Sequence, residues 1–532
     1  AGAARGDSSS GGVMLAQLLS GAVLGVDAYL VRVEVDQANG LPSMAVVGLP
    51  EGAVREGRER VWAAVQNSGY SIPPKRITIN LAPADIRKEG SAYDLPIAIG
   101  ILAGSGVVPI ERVAGRCFAG ELGLDGEVRP IRGALSLALR CREEGVEELI
   151  VPVANAREAA VVEGVRVRAA AGLRDVVRHL QGVAPLPEVR VDPAELFRDD
   201  AAEGGLDLAD VRGHEHAKRA VEVAAAGGHN LLLIGPPGSG KSMLARRLPT
   251  ILPPLTLAES IEVTKVHSVA GRMREGAALI RGRPFRAPHH SISEAGLIGG
   301  GSVPRPGEAS LAHHGILFLD ELPEFRRTAL EALRQPLEDG VVQIGRARLM
   351  VSYPARFTLV AAMNPCPCGY YGDGTDRCRC LAGQVERYLG RVSGPLLDRI
   401  DLHVEVPALT DRELKDRRAG EPSASVRERV CAARLRQLER FEGRAGIFAN
   451  AHMGAREVRE FCHLDATGEA LISAAVTKLR LSARSYHRVL RMARTIADLE
   501  GSDRIGAAHV AEAVQYRSLD RYRQGAPVGA DA

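Results

Sequence analysis

One octapeptide constrains this chain more than any other feature. It is GPPGSGKS at positions 235–242, and it follows directly after the apolar run LLLI. Glycines let a backbone curl so that successive N–H groups point at one anion, and the lysine adds a positive charge. A buried strand that passes through such a loop into a helix predicts a doubly wound α/β domain that binds a nucleoside triphosphate.

The residues of this loop divide the predicted chemistry among them. We expect Lys241 to contact the outer phosphates of ATP. Ser242 is expected to offer its hydroxyl to Mg²⁺ at the start of a helix that begins at Met243. The predicted ATP-binding residues are Gly235, Pro236, Pro237, Gly238, Ser239, Gly240, Lys241 and Ser242.

Two further strands end in polar residues. The apolar run ILFL at 316–319 precedes Asp320 and Glu321, and the run at 358–362 leads to Asn364. Hydrolysis of a γ-phosphate needs one carboxylate to hold Mg²⁺ and another to accept a proton from water, which we assign to Asp320 and Glu321. The amide of Asn364 is predicted to sense the γ-phosphate. A helix-capping acidic pair and an ordinary Asn-Pro turn are the alternatives.

Length and charge limit the remaining possibilities. A chain of 532 residues is too long for one core. Its net charge of +3 is nearly balanced, so any nucleic-acid site must be a local cluster. Apolar stretches are too short or too interrupted to cross a bilayer, so we expect a soluble cytoplasmic protein without a membrane partner. The predicted segments are a disordered extension at 1–13, an α/β domain at 14–185, a linker at 186–210, a nucleotide domain at 211–409, an all-helical lid at 410–525 and a disordered tail at 526–532.

The cysteines are unevenly spaced. Four of the eight are scattered, and the other four form two C-x-C pairs. Soft ligands in two close pairs suit tetrahedral Zn²⁺, although the usual spacing is two residues and four reduced thiols without metal remain an alternative. The histidine pairs at 289–290 and 313–314 are interpreted as loop or interface residues. The predicted zinc insertion spans 366–380, as a structural staple or a DNA-facing knuckle, with the ligands Cys366, Cys368, Cys378 and Cys380.

Several long segments together resemble a known family. They include NLAPADIRKEGSAYDLPIAIGIL, FRAPHHSIS, ILFLDELPEF, SGPLLDRIDLHVEVP and SARSYHRVLRMARTIADLEG. From Met14 to about Tyr522 the chain resembles the YifB/ComM family of magnesium-chelatase-like AAA+ ATPases. This resemblance implies a homohexameric ring whose ATP sites lie between subunits.

Two arginines take their expected roles from this resemblance. Arg399 matches the finger that reaches the γ-phosphate bound by a neighbouring subunit, and Arg484 matches the sensor of the lid. Each has an alternative. Arg399 could form an ordinary ion pair with Asp398 or Asp401, and Arg488 could be the lid sensor instead.

The N-terminal domain resembles the proteolytic domain of Lon proteases. The matching segments are KEGSAYDLPIA and GELGLDGEVRPIRGAL. Proteolysis by this fold requires a serine nucleophile and a lysine base, but Ala92 and Leu135 occupy the two positions. Ser91 is adjacent to Ala92, the position of the nucleophile, but no lysine is found at the position of the base. The domain is therefore predicted to be an inactive, structural or DNA-contacting module.

Two basic segments indicate DNA as the partner. One is the Gly- and Arg-rich insertion from Lys265 to Arg305, and the other is a predicted hairpin at 341–357 with Arg346 and Arg348 near its tip. The hairpin resembles the DNA-tracking hairpin of replicative AAA+ helicases, and six copies would line a channel with positive charge. The resemblance implies an ATP-driven motor on single-stranded or branched DNA, for helicase action or branch migration in recombination or natural transformation. The alternative is a chelatase-type remodeller of a protein partner.

Overall fold

The computed structural model divides the chain into two compact units. The first takes the residues before position 200 together with Ser260–Ile280, and the second takes the rest. The boundary therefore falls inside one helix, Leu257–Val269. The residues that the structure describes are 15–50, 52–85, 88, 90–197, 205–301, 304–346, 349–410, 413, 420–444, 446–479 and 482–517.

The first unit is built on a mixed sheet of eight strands. Valines 31, 33 and 35 alternate along the second strand and are fully buried, because alternate side chains of a strand face the same side. The first ten strands in chain order are β1 (Ala16–Leu24), β2 (Asp27–Ala38), β3 (Ser43–Val47), β4 (Arg76–Ala82), β5 (Arg116–Phe118), β6 (Glu121–Leu122), β7 (Val128–Arg129), β8 (Glu148–Pro152), β9 (Arg166–Ala170) and β10 (Glu188–Val189). The sheet has the order β10-β9-β8-β5-β1-β2-β4-β3, and β6 and β7 form a separate hairpin. Its edge strand β10 lies within the segment predicted to be a linker.

Helices cover this sheet. Every residue of the apolar helix Asp94–Gly104 is buried, so it is the centre of the first core. The helices of the unit are α1 (Gly52–Asn67), α2 (Asp94–Gly104), α3 (Ala134–Glu143), α4 (Val153–Ala159), α5 (Leu173–Leu180) and α6 (Pro193–Leu196).

The segment Ser260–Ile280 is an integral part of the first unit. Ser268 donates a hydrogen bond to buried Glu158 and accepts one from the N–H of Gly133 at 2.9 Å. Leu279 is buried in the same apolar cluster as the helix α3. The first part of the basic insertion therefore folds with the N-terminal unit.

The second unit contains a five-stranded parallel sheet. Its buried strands end at one common edge, so the loops that follow them meet there. Its strands are β11 (Leu231–Ile234), β12 (Phe285–Arg286), β15 (Ile316–Leu319), β18 (Thr358–Met363) and β19 (Leu402–Glu405). They have the order β12-β15-β18-β11-β19, and two hairpins stand apart, β13 (Gly299–Gly300) with β14 (Arg305–Pro306) and β16 (Val341–Arg346) with β17 (Leu349–Pro354).

An all-helical C-terminal part packs on this sheet through one continuous core. Apolar residues of the final helices, such as Val430, Val489 and Ala493, share that core with Leu231 and Leu244. In the described part of the chain, no helix combines the length and the apolar character needed to cross a lipid bilayer. The remaining helices are α7 (Glu215–Gly227), α8 (Lys241–Ile251), α9 (Leu257–Val269), α10 (Glu294–Ile298), α11 (Glu308–Leu311), α12 (Arg327–Ala332), α13 (Arg334–Asp339), α14 (Ala382–Leu389), α15 (Gly394–Leu397), α16 (Ser423–Arg440), α17 (Ala455–Phe461), α18 (Ala466–Leu479), α19 (Ala483–Leu499) and α20 (Ala507–Gln515).

Candidate functional site

The glycine-rich loop connects β11 to α8 at the carboxyl edge of the sheet. Helix α8 begins at Lys241, two residues before the predicted start at Met243. Gly238 and Gly240 have φ of 76° and 90°, which favour glycine. A Cβ at Gly235 would lie 2.0 Å from the carbonyl oxygen of Val406 on the neighbouring chain segment. The glycines at these three positions are therefore required by the path of the backbone.

Lys241 lies at the centre of the loop. Its ammonium donates to the carbonyl oxygens of Gly235 and Pro236, both at 2.8 Å, and to Oδ1 of Asn364 at 3.3 Å. Burial lowers the pKa of Lys241, and the nearby Asp320 acts in the opposite direction. The structure therefore brings the predicted phosphate lysine and the predicted sensor asparagine into direct contact.

Ser242 and Asp320 form the candidate Mg²⁺ site. The Ser242 hydroxyl donates to Oδ2 of Asp320 at 2.6 Å, although one residue follows β11's loop and the other follows β15. A hydroxyl and a carboxylate oxygen are hard ligands that suit Mg²⁺ beside a triphosphate. The donor set therefore fits the predicted ion.

The loop also leaves polar atoms available for a nucleotide. Among the described residues, Oγ of Ser239 and Nε2 of His214 are buried and have no hydrogen-bond partner. The Nε2 atom of His214 lies beside Gly240, and burial lowers the pKa of this imidazole. Buried polar atoms are normally paired, so these two fit a bound ligand. His214 was not predicted to take part.

Glu321 contacts a histidine that the sequence did not assign to the site. The nearest carboxylate oxygen of Glu321 lies 3.3 Å from Nδ1 of His290. His290 follows β12, whose carboxyl end lies at the same edge of the sheet as that of β15. The neighbouring His289 instead pairs with the hydroxyl of Ser291 at 2.9 Å. The motif FRAPHH after a strand was the available indication, but it was interpreted as a loop.

Arg399 lies three residues before β19, at the amino ends of the parallel strands. The glycine-rich loop lies at their carboxyl ends. The guanidinium of Arg399 donates to the carbonyl oxygen of Pro395 at 2.6 Å and forms an ion pair with Glu338 of α13. The adjacent Asp401 pairs instead with Arg488 at 3.3 Å. This ion pair engages Arg488, the other candidate for the sensor, inside its own subunit, and burial lowers the pKa of its guanidinium.

Arg484 lines the same cavity as Arg399. This arginine is exposed in the first turn of α19, and the cavity has a volume of about 490 Å³. Seven arginines and five carboxylates line it, which leaves an excess of positive charge suited to an anion. The two arginines predicted from the family pattern are thus brought together.

The cavity and the glycine-rich loop lie at opposite ends of the same strands. Asn230, Thr358 and Asp401, at the beginnings of β11, β18 and β19, line the cavity. The loop follows the end of β11, and a strand of four residues spans about 13 Å. Arg399 therefore lies at the other end of the sheet from the glycine-rich loop of its own subunit.

The four clustered cysteines also come together. Their ligand atoms all lie within 4.8 Å of one another, and Cys366 is fully buried. The distances between sulfur atoms are 3.3 Å for Cys366 and Cys368, 3.9 Å for Cys366 and Cys378, and 3.6 Å for Cys368 and Cys378. A four-cysteine cluster that could bind a metal is therefore present next to Asn364.

The predicted DNA-tracking hairpin is present as β16 and β17. Arg346 pairs with Leu349 in the last register position of the two strands. Arg348 lies outside the described residues. The hydroxyl of Tyr353 on β17 donates to the carbonyl oxygen of Pro304 at 2.7 Å, which joins this hairpin to the one formed by β13 and β14.

The protease-like pattern in the first unit surrounds different chemistry. Ser91 donates a hydrogen bond to Glu121, and Asp94 pairs with Arg60 at 2.8 Å. Burial raises the pKa of Asp94 to about 6, while Arg60 acts in the opposite direction. Leu135 is fully buried at the position where a lysine base was sought.

Comparisons with known proteins agree with this architecture. The family model described as magnesium chelatase, subunit ChlI, matches residues 207–414. A second model of that subunit matches residues 33–155, and a model of its C-terminal part matches residues 420–517. The Competence protein ComM of Haemophilus influenzae is 47% identical over 513 residues, which is 96% of this chain and 99% of that protein.

The chain belongs to the YifB/ComM family of magnesium-chelatase-like AAA+ ATPases. YifB of Escherichia coli is 46% identical over 503 residues, 94% of this chain and 96% of that protein. A more distant similarity is to the DNA replication licensing factor Mcm6 of Drosophila melanogaster, which is 23% identical over 300 residues. The matched region covers 55% of this chain and 32% of that protein. The strand order and the loop positions of the second unit are consistent with the AAA+ fold.

Proposed function

We propose that this chain is an ATP-hydrolysing motor that forms a hexameric ring and translocates on or remodels DNA. Helicase action or branch migration, in recombination or natural transformation, is the form of activity we propose. The observation that carries the proposal is the separation of the glycine-rich loop from Arg399 within one subunit, since it leaves each ATP site to be completed by a neighbour.

Hydrolysis is assigned to the carboxyl edge of the sheet. Lys241 would bind the outer phosphates, and Ser242 and Asp320 would hold Mg²⁺, which supplies positive charge against the β- and γ-phosphates when bound. Glu321 would accept a proton from the attacking water. Asn364 would orient that water, since it already contacts Lys241. Each role uses a side chain that the fold brings to one edge.

A neighbouring subunit would supply the positive charge that stabilises the γ-phosphate during hydrolysis. A developing negative charge on the γ-phosphate is stabilised by a fixed guanidinium, and Arg399 is the proposed donor. Its ion pair with Glu338 holds it at the cavity in the single subunit. Arg484 is the proposed second contact, because it is exposed in the same cavity. A ring repeats this heterologous contact until it closes.

DNA is assigned to the paired hairpins. The hairpin of β16 and β17 has basic residues at 346 and 348, and Arg305 lies on the adjoining strand β14. Their connection through Tyr353 and Pro304 would let the two hairpins act as one basic surface. Six copies would present repeated positive charge to a phosphate backbone.

The names of the relatives and the names of the matching family models favour different candidates. One relative is a competence protein and a distant one is a DNA replication licensing factor. The matching family models are named after a magnesium chelatase subunit, which favours the second candidate, a chelatase-type remodeller that acts on a protein partner. The two candidates share the ATPase chemistry and differ in what the ring engages.

DNA-stimulated hydrolysis separates these candidates. ATP turnover by the full chain is measured with and without single-stranded and branched DNA, followed by strand displacement, over a range of salt. We expect stimulation that falls steeply with salt, because binding releases counterions. Arg346→Glu should abolish displacement and keep basal turnover, whereas Lys478→Glu on the exposed surface of α18 is the matched control. Absence of both DNA binding at low salt and stimulation would reject the DNA assignment.

A further inference from the structure

The four-cysteine cluster has the geometry of a closed metal site. A tetrahedral zinc with Zn–S of about 2.3 Å has sulfur atoms about 3.8 Å apart. The three sulfur–sulfur distances of 3.3, 3.6 and 3.9 Å lie around that value. A disulfide needs about 2.05 Å, so these thiols are placed for a shared ion and not for a bond between them. All four are free cysteines.

The first pair of cysteines is held by its own turn. The N–H of Gly369 donates to the carbonyl oxygen of Cys366 at 3.0 Å and approaches its sulfur at 3.2 Å. An N–H group directed at a sulfur stabilises the thiolate form that binds zinc. The loop between the pairs is braced as well, because Asp373 accepts from Thr375 and pairs with Arg377 at 3.2 Å. Four protein sulfurs leave no open position, which is typical of structural and not catalytic zinc.

This turn is packed directly against the glycine-rich loop. A Cβ at Gly369 would lie 2.5 Å from Cδ of Pro237 and 2.8 Å from its Cγ. Gly369 also has φ of 90°, so two independent constraints require glycine here. The backbone of the cysteine turn therefore packs directly against the ring of Pro237 in the phosphate-binding loop.

The cluster also brackets the sensor asparagine. Asn364 lies two residues before Cys366, and its amide oxygen is 3.3 Å from the ammonium of Lys241. Helix α14 begins two residues after Cys380, and burial raises the pKa of its Tyr388 to about 12, while the nearby backbone of Asn364 acts in the opposite direction. Both chain segments that leave the cluster thus converge on one residue of the ATP site.

We propose that Cys366, Cys368, Cys378 and Cys380 hold one Zn²⁺, and that this zinc fixes the turn at Gly369 and Asn364 as a wall of the ATP site. Loss of zinc would release the turn from Pro237 and weaken nucleotide binding. The proposal rests on the ATP-binding part of the proposed function and is independent of DNA. It makes the metal a positioning element for the glycine-rich loop.

The test measures zinc and nucleotide affinity separately. Zinc per chain is determined by elemental analysis of the full-length protein, and affinity is measured with a fluorescent methylanthraniloyl derivative of ATP. We expect one zinc per chain in the wild type. The double variant Cys378→Ser/Cys380→Ser should lose the zinc and bind the nucleotide at least tenfold more weakly. Cys431→Ser, a half-buried cysteine of α16, is the matched control and should change neither quantity.

A second variant distinguishes the proposed effect from misfolding of the double cysteine variant. Gly369→Ala keeps all four ligands but cannot keep the contact with Pro237, so it should retain one zinc and still weaken nucleotide binding at least threefold. Well under one zinc per wild-type chain after growth with zinc overturns the proposal. Nucleotide affinity within twofold of the wild type after zinc loss also overturns it, and a loss confined to DNA binding would make the cluster a DNA contact instead. No nucleotide binding by the wild type would reject the proposed function itself.

Discussion

Glu321 has an unusual backbone among the residues assigned to hydrolysis. Its φ of 53° lies in the left-handed region, which is rare for a residue with a side chain and tends to occur at functional sites. Its N–H donates to Asp320 at 3.0 Å, and its half-exposed carboxylate reaches His290. The turn that imposes this conformation separates the two carboxylates, so that one faces Ser242 and the other faces solvent.

Glu321→Gln should separate binding from hydrolysis. An amide keeps the size of the side chain but cannot accept a proton from water, so ATP turnover should fall by about 100-fold or more. Affinity for the fluorescent ATP derivative should stay within about twofold, since Lys241 and Ser242 are unchanged. Glu324→Gln, an exposed carboxylate in the same turn that pairs with Arg391, is the control. Equal turnover in the two variants would remove Glu321 from the mechanism.

His290→Ala should raise basal ATP turnover. A carboxylate held by an imidazole is less free to accept a hydrogen bond from the attacking water, and releasing it should increase turnover by about threefold to tenfold. Steady-state hydrolysis without DNA measures the effect. His289→Ala is the matched control, because that ring contacts Ser291 and not Glu321. A fall in turnover for His290→Ala would show that the histidine assists hydrolysis.

The residues at strand ends could be predicted from sequence, whereas their cross-chain partners could not. Lys241, Asp320 and Asn364 each follow a short apolar run, and parallel strands bring their ends together. The contacts made by His290 and His214 depend on how distant loops meet, for which a local pattern has no information. The ion pair of Arg399 with Glu338 was missed for the same reason.

At the scale of elements, the helical character of the C-terminal part was predicted well. Within the segment expected to be an all-helical lid at 410–525, the described residues form the helices α16 to α20. The predicted start of α8 was wrong by two residues, since the glycine-rich loop passes into the helix without a separate cap. The packing of Ser260–Ile280 in the first unit could not be anticipated. Its anchoring contacts, such as Ser268 with Glu158, are long-range and follow no period.

Glu148 anchors the strands of the first unit and provides a stability test. Its buried carboxylate accepts from Arg116 at 2.6 Å, from Arg168 at 3.0 Å and lies 3.3 Å from His179. Burial alone would raise the pKa of Glu148, but these three hydrogen bonds hold it well below its ordinary value. Since the folded pKa is the lower one, the stabilisation is present above the unfolded pKa and is lost as pH falls below it.

Glu148→Gln should therefore destabilise the protein in a pH-dependent way. We expect the free energy of unfolding to fall by about 2 kcal/mol at pH 7, less than for a fully buried pair because Arg116 reaches solvent. The difference from the wild type should narrow below about pH 4, where the carboxyl of Glu148 becomes protonated in the unfolded chain while the folded protein still keeps it charged. Urea unfolding at both pH values measures it. Glu147→Gln, whose side chain is 77% exposed, should change little.

At the scale of the whole molecule, the distribution of charge within the second unit supports the proposed assembly. One end of its parallel sheet has the loop that would bind ATP, and the other end has the arginine-lined cavity. In the proposed mechanism, neither end forms a complete hydrolytic site alone, and the two would meet where one subunit contacts the next. A closed ring satisfies both ends of every subunit.

Mixing two inactive variants tests this central claim most directly. Lys241→Ala removes the phosphate lysine and keeps Arg399, and Arg399→Ala does the reverse. In an equal mixture about a quarter of the interfaces would combine an intact lysine with an intact arginine from the neighbour. The account predicts that each variant alone hydrolyses ATP at less than about 1% of the wild-type rate, and that mixing restores a substantial fraction of turnover. No recovery on mixing, with subunit exchange verified, would contradict it.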